Sequence, residues 1–231
     1  MNETIATLRE VVLMPRDIGW VVPKMVGPHD DVVVLVHGFF ASAGVFRPMK
    51  ERVIGATGAK VGSFTHAPGA RIEQIAQSLA TFIKQIRGDC RIHLVGHSIG
   101  GLVARWYVQE LGGHRRVAQT ISLGSPFGGT ERAHRFRFLV GVGADLCRTS
   151  QLLSRLRSRA HEHDVPHTSI VGGADAMVVP ADSAVFPRGD VHVLPGRGHN
   201  SLLFDPVSIA HVTERVRCLS HRLSGAAVRF V

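Results

Sequence analysis

Between residues 92 and 111 a short apolar run, Ile92-His93-Leu94-Val95, passes through Gly96-His97-Ser98-Ile99-Gly100 into a helical pattern from Leu102 to Leu111, closed by Gly112-Gly113. A buried strand that turns directly into a helix at a G-x-S-x-G step is a narrow structural option. Flanking residues without a Cβ let neighbouring backbone pass close, and the serine is held in a strained conformation at the carboxyl edge of a sheet. Ser98 is therefore the first candidate functional residue, and its context predicts a sheet with helices packed back onto it.

The rest of the chain repeats that alternation. Val32 to Val36 is a continuous β-branched run ended by His37-Gly38, the pattern of a strand buried on both faces. Lys60 to Thr65, Ile92 to Val95, Gln119 to Leu123, Thr168 to Val171 and Val191 to Leu194 supply five more strands. Ile72, Ile75, Ala76, Leu79, Phe82, Ile83 and Ile86 recur at helix spacing, and a last helix is predicted over 207–222. Strands alternating with helices imply right-handed crossovers and a mostly parallel sheet of about six strands with helices on both faces. With 231 residues, 45% of them hydrophobic, the chain can bury one full core, so a single domain over 1–231 is expected, with 1–31 as an N-terminal extension. Asn2 to Leu13 reads as a short amphipathic helix packed against the body, with a lipid surface as the alternative.

In such a sheet the functional groups gather outside the carboxyl ends of the strands. His37-Gly38-Phe39-Phe40 follows the first strand, Ser98 the third, Gly172-Gly173-Ala174-Asp175 the fifth and Gly196-Arg197-Gly198-His199 the sixth. The order Ser, Asp, His suits a nucleophile, an orienting carboxylate and a base. A serine hydroxyl is a weak nucleophile at neutral pH, so an imidazole must take its proton and return it to the leaving group. His199 is assigned that role. Asp175 would bond the far ring nitrogen; it competes with Asp164, Asp182, Asp190 and Asp205, but it alone sits just past a strand in a Gly-rich loop. The oxyanion needs two preset N–H donors, expected from Phe39 and Ile99.

Taken together, Val34-Leu35-Val36-His37-Gly38-Phe39, Val95 to Arg105, Leu123-Gly124-Ser125-Pro126-Phe127-Gly128-Gly129-Thr130, Asp175 to Pro180 and Gly198-His199-Asn200-Ser201-Leu202-Leu203 carry a resemblance. The chain resembles the bacterial α/β-hydrolases of the lipase and esterase group related to triacylglycerol lipases and PGAP1-like hydrolases. The resemblance implies an α/β-hydrolase fold, a Ser98-Asp175-His199 triad and an oxyanion hole from Phe39 and Ile99. It also implies a lid-like insertion between the fourth and fifth strands, over 127–166, where apolar Phe136, Phe138, Leu139 and Val140, hinges at Gly141 and Gly143, and Arg132, Arg135, Arg137, Arg155, Arg157 and Arg159 lie together. Phe40, Phe127 and Leu152 are expected to line an apolar acyl site. Calcium-dependent members place an acidic residue soon after the histidine, whereas Asn200 and Ser201 follow it here, so no metal is expected. His161, His163 and His167 read as surface histidines.

The reaction expected is hydrolysis of carboxylic esters, the acid leaving through an acyl-enzyme on Ser98, with no cofactor. An acyltransferase would use the same triad, and a catalytically silent binding protein would keep the fold alone. The net charge of +9 is spread over the chain as arginine, without the aromatic-interleaved basic motif of a nucleic-acid module, so a small ester or lipid is the expected partner, with peripheral contact to a lipid surface as an option. Cys90, Cys147 and Cys218 are too few and scattered for a disulfide framework. With neither a spanning segment nor an export signal in view, the chain as it stands is expected in the cytoplasm, or secreted or membrane-associated if its start was truncated.

Overall fold

A computed structural model of the protein describes residues 2–16, 18–24, 26–136 and 141–225, without the side chains of 134–136 and 220–225. Seven strands form one sheet in the order β1-β3-β2-β4-β5-β6-β7. They are β1 (Trp20–Val21), β2 (Asp31–Val36), β3 (Lys60–Phe64), β4 (Arg91–His97), β5 (Val117–Leu123), β6 (His167–Gly172) and β7 (Asp190–Leu194). Every pairing is parallel except β1 with β3, so the chain has the α/β-hydrolase architecture with one short antiparallel edge added to the six expected strands. Two residues are too few to leave an alternating pattern in a sequence.

Helices α1 (Glu3–Leu13), α2 (Arg47–Thr57), α3 (Ile72–Gln85), α4 (Ile99–Glu110), α5 (Val142–Asp145), α6 (Gln151–Ser158) and α7 (Pro206–Gly225) surround the sheet. The inner strands β2 to β6 are buried on both sides, which is why β2 is a continuous apolar run: Val32, Val34 and Val36 enter one core with α3, α4 and α6, while Val33 and Leu35 enter the other with α2, α7 and Ala6 of α1. Helix α2 went unread because only Met49 and Val53 of its eleven residues are buried, too sparse a stripe to register as a period.

The turn after β4 behaves as its composition requires. Ser98 sits at φ +54°, ψ −124°, and a Cβ on Gly100 would lie 2.1 Å from the carbonyl oxygen of Val36. Only a glycine lets α4 start that close to β2.

The 127–166 segment divides. Its α6 is part of the body: Leu152, Leu153 and Leu156 are buried in the core, and Arg155 and Arg159 pair with Glu110 of α4. Arg137, Phe138, Leu139 and Val140 lie outside the described residues. Among the described residues, no helix is long and apolar enough to cross a membrane.

Candidate active site

The carboxyl ends of β2, β4, β6 and β7 converge on one cavity of about 250 Å³, whose lining includes Gly38, Phe39, Phe40, His97, Ser98, Ile99, Met177, Val178, His199 and Asn200. Ser98 and His199 therefore share one cavity wall. His199 Nδ1–H donates to Asp175 Oδ2 at 2.7 Å, the bond expected of a base and its orienting carboxylate. The other carboxylate oxygen of Asp175 accepts the N–H groups of Met177 (2.8 Å) and Val178 (2.9 Å). Burial alone would raise the Asp175 pKa, but the His199 bond and these two amides outweigh it and hold the carboxyl below its ordinary value. Asp175 therefore stays ionised and fixed in direction through the neutral range.

The remaining aspartates weighed for that role are committed elsewhere: Asp164 pairs with Arg188, Asp190 with Arg215 and Asp205 with Arg197, and Asp182 lies in the 3-10 turn Ala181–Ala184.

Two neighbouring histidines position the site and are kept uncharged. His97 Nε2–H donates to the carbonyl of His199 (3.1 Å), tying the elbow to the histidine loop. Burial pushes the His97 pKa down to about 3, helped by the adjacent His199. His37 donates from Nδ1 to the Gly38 carbonyl (2.7 Å) and accepts the His66 N–H on Nε2 (3.1 Å); burial and then His66 bring its pKa to about 3. A ring locked between a carbonyl and an amide N–H in this way fixes the loop that carries Phe39. That loop passes directly over the serine, since a Cβ on Gly38 would lie 3.0 Å from Ser98 Cβ. Ile99 is the first residue of α4, where a backbone N–H has no intrahelical acceptor. The two backbone positions named for the oxyanion thus flank Ser98.

Of the three residues expected to line the acyl site, Phe40 does so, half-exposed at the rim with φ +51°. Phe127 and Leu152 do not. Phe127 is fully buried, its ring against His167 (5.3 Å) and Phe186 (5.0 Å), and Leu152 is turned into the same core by the helical period of α6. The insertion reaches the cavity through Thr130 and Leu146 instead, beside Pro126 just ahead of it. His167 also departs from its surface reading: it is buried on β6, bonded to Thr120 Oγ1 and Ser122 Oγ, while His163 stacks on His114.

The residues that sequence reasoning missed belong to α1. Thr7, Glu10, Val11 and Met14 form one wall of the cavity. The Glu3 carboxylate accepts the N–H groups of Asn200 (2.7 Å) and Ser201 (3.0 Å), and Asn200 Nδ2 donates to Thr7 Oγ1 (3.2 Å), so α1 is bonded to the turn that follows His199. Glu10 is buried beside His199; burial raises its pKa, with His199 acting in the opposite direction. The available signal was the stripe Glu3, Thr7, Glu10, three polar residues on one face of a helix otherwise rich in Ile, Leu and Val.

Comparison with known proteins agrees with the fold. Among solved structures, Aspergillus fumigatus lipase B superposes with a TM-score of 0.69 at 19% identity, covering 86% of this chain and 56% of that one. The mature form of Bacillus licheniformis lipase BlEst2 gives 0.70 at 14% identity, over 86% and 98% of the two chains. Paleococcus ferrophilus monoacylglycerol lipase gives 0.62 at 17%, over 84% and 96%. These likenesses establish the fold, and the chain spans little more than half of the first of the three. No protein of curated function matches. The family model for palmitoyl protein thioesterase matches residues 32–170, more than half of the chain, from β2 through the elbow to β6. The chain therefore belongs to the palmitoyl protein thioesterase family and has the α/β-hydrolase fold.

Proposed function

We propose that the chain is a serine hydrolase that cleaves esters of apolar acyl groups through an acyl-enzyme on Ser98. The observation that carries the reading is the His199–Asp175 bond of 2.7 Å beside a serine held at positive φ in the same cavity. In the first half-reaction Ser98 Oγ attacks the acyl carbonyl while His199 Nε2 takes the hydroxyl proton. Asp175 stabilises the imidazolium so formed, and the N–H groups of Ile99 and Phe39 receive the negative oxygen. The tetrahedral centre collapses, the bond to the leaving group breaks, and His199 returns the proton to the departing alcohol. Water then repeats the sequence on the acyl-enzyme and releases the acid.

The cavity supports an apolar acyl group, since Phe39, Phe40, Ile99, Val11, Met14, Leu146, Met177 and Val178 supply most of its walls. At about 250 Å³ it lies just below the roughly 300 to 1,000 Å³ usual for drug-sized ligands, so a long acyl chain would project past the rim at Val11 and Phe40. The family match gives specific weight to thioesters as a second substrate class for the same site. A thiolate leaves more readily than an alkoxide and depends less on the proton from His199. Ser98→Ala assayed against p-nitrophenyl esters and acyl thioesters of increasing chain length tests the reading. Turnover of both classes should fall on the order of 10⁴-fold or more, with thermal unfolding unchanged. Near wild-type turnover in the variant would refute the assignment.

A further inference from the structure

Helix α1 turns a polar stripe toward the site and leaves Ile5, Leu8 and Val12 exposed, the reverse of an ordinary surface helix. Two members of the stripe have protein partners. The Glu3 carboxylate holds the N–H groups of Asn200 and Ser201, and Thr7 Oγ1 donates to the Glu3 carbonyl while accepting from Asn200 Nδ2. The Glu10 carboxyl has none: it is only 9% exposed, lines the cavity that holds Ser98 and His199, and makes no hydrogen bond or ion pair with the described residues. A buried polar group left open in this way calls for an occupant. Glu10 is also the one acidic residue of that lining, and no lysine or arginine lines the cavity among the described residues.

Its place in the cavity says which part of a substrate it meets. A base that returns its proton to the leaving group must have that group beside it. Glu10 stands at the His199 end: the charged groups acting on it are His199 and Glu3, and Thr7, one turn ahead of it, is bonded to Asn200. We propose that Glu10 selects the leaving alcohol, its carboxyl accepting a hydroxyl that the alcohol carries near the ester oxygen, so that the substrates are acyl esters of polyols. The inference rests on the acyl-ester reading of the site. A carboxyl accepts a hydroxyl proton in either of its own protonation states. An alcohol bearing an ammonium group would stand beside the imidazolium that forms on His199, and the net charge of +9 opposes it further. A plain alkyl leaving group would displace water from Glu10 and return nothing to it, and that asymmetry turns one hydrogen bond into discrimination.

The test is the ratio of kcat/KM for monohexanoylglycerol and propyl hexanoate, which share one acyl group, in the full chain and two variants. The wild type should favour the glycerol ester about tenfold or more, the worth of a hydrogen bond to a buried carboxyl. Glu10→Leu fills a similar volume without an acceptor and should bring the ratio close to one, the loss falling on the glycerol ester. Glu10→Gln keeps an acceptor oxygen and should retain part of the preference. Circular dichroism verifies that both variants are folded, and the wild-type ratio is read without any variant. Equal cleavage of the two esters by the wild type would overturn the proposal, as would an unchanged ratio in Glu10→Leu. An equal fall on both esters in that variant would also overturn it, since Glu10 would then act through His199. The ratio compares leaving groups under one nucleophile, whichever residue is acylated, whereas failure of the Ser98 reading shows separately as turnover that survives in Ser98→Ala.

Discussion

The carboxyl edge of the sheet and helix α1 border the same cavity on opposite terms. At the sheet edge each residue proposed for catalysis lies a few positions beyond the end of a strand: Ser98 after β4, Asp175 after β6, His199 after β7. On α1 nothing in the backbone demands Glu3 or Glu10; they are there because of what they touch, the turn after His199 and the cavity wall. A catalytic group on a strand end inherits its place from the fold, whereas a cover inherits its sequence from its contacts.

The largest effect that can break this contrast is expected at Asp175. Asp175→Asn leaves the shape of the loop but offers an amide to His199 Nδ1, favouring the wrong tautomer. The maximal rate on a p-nitrophenyl ester should fall about 10³- to 10⁴-fold, with KM little changed. A loss under tenfold would mean that the carboxylate position is not dictated by the strand end.

A second pair of substitutions separates cavity from core. Leu152→Ala should lower unfolding free energy by about 2 to 5 kcal/mol, because it empties a buried site on α6, while chain-length preference stays as in the wild type. Phe40→Ala should change stability by no more than about 0.5 kcal/mol yet weaken discrimination in favour of longer acyl chains. Denaturant unfolding and an ester series measure both. The reverse pattern would put Leu152, not Phe40, at the acyl site.

These two residues also mark how far a sequence can be read. The six long strands, the elbow and the strand ends that carry Ser98, Asp175 and His199 were legible, because a run such as Val32 to Val36 or a turn such as Gly96 to Gly100 has few structural alternatives. Phe127 and Leu152 were misplaced because an apolar residue near a site has the same composition whether it faces the cavity or the core, and only the helical phase of α6 decides. The role of α1 was out of reach for a related cause. Its amphipathic pattern was plain, but the usual rule assigns the apolar face to the body, and here Glu3 bonded to Asn200 and Ser201 reverses it.

The smallest effect concerns Glu10. Its folded pKa is raised above the ordinary 4.5, so it stabilises the fold relative to a charged form only below that value, and the benefit is lost as pH rises through the raised pKa. Glu10→Gln should therefore match the wild type in Tm near about pH 4 and exceed it near about pH 7. A lower Tm for the variant at neutral pH would show that ionised Glu10 is held by a partner, making α1 a second part of the machinery and not merely its wall.

The central claim is that Ser98 is the nucleophile, raised by the elbow and served by His199 and Asp175. Covalent labelling with a fluorophosphonate, read by intact mass and peptide mapping, tests it most directly. The account predicts a single adduct per chain on the peptide carrying Ser98, absent in Ser98→Ala and slowed in His199→Ala. An undiminished adduct in Ser98→Ala, or one mapped to another residue, would contradict it.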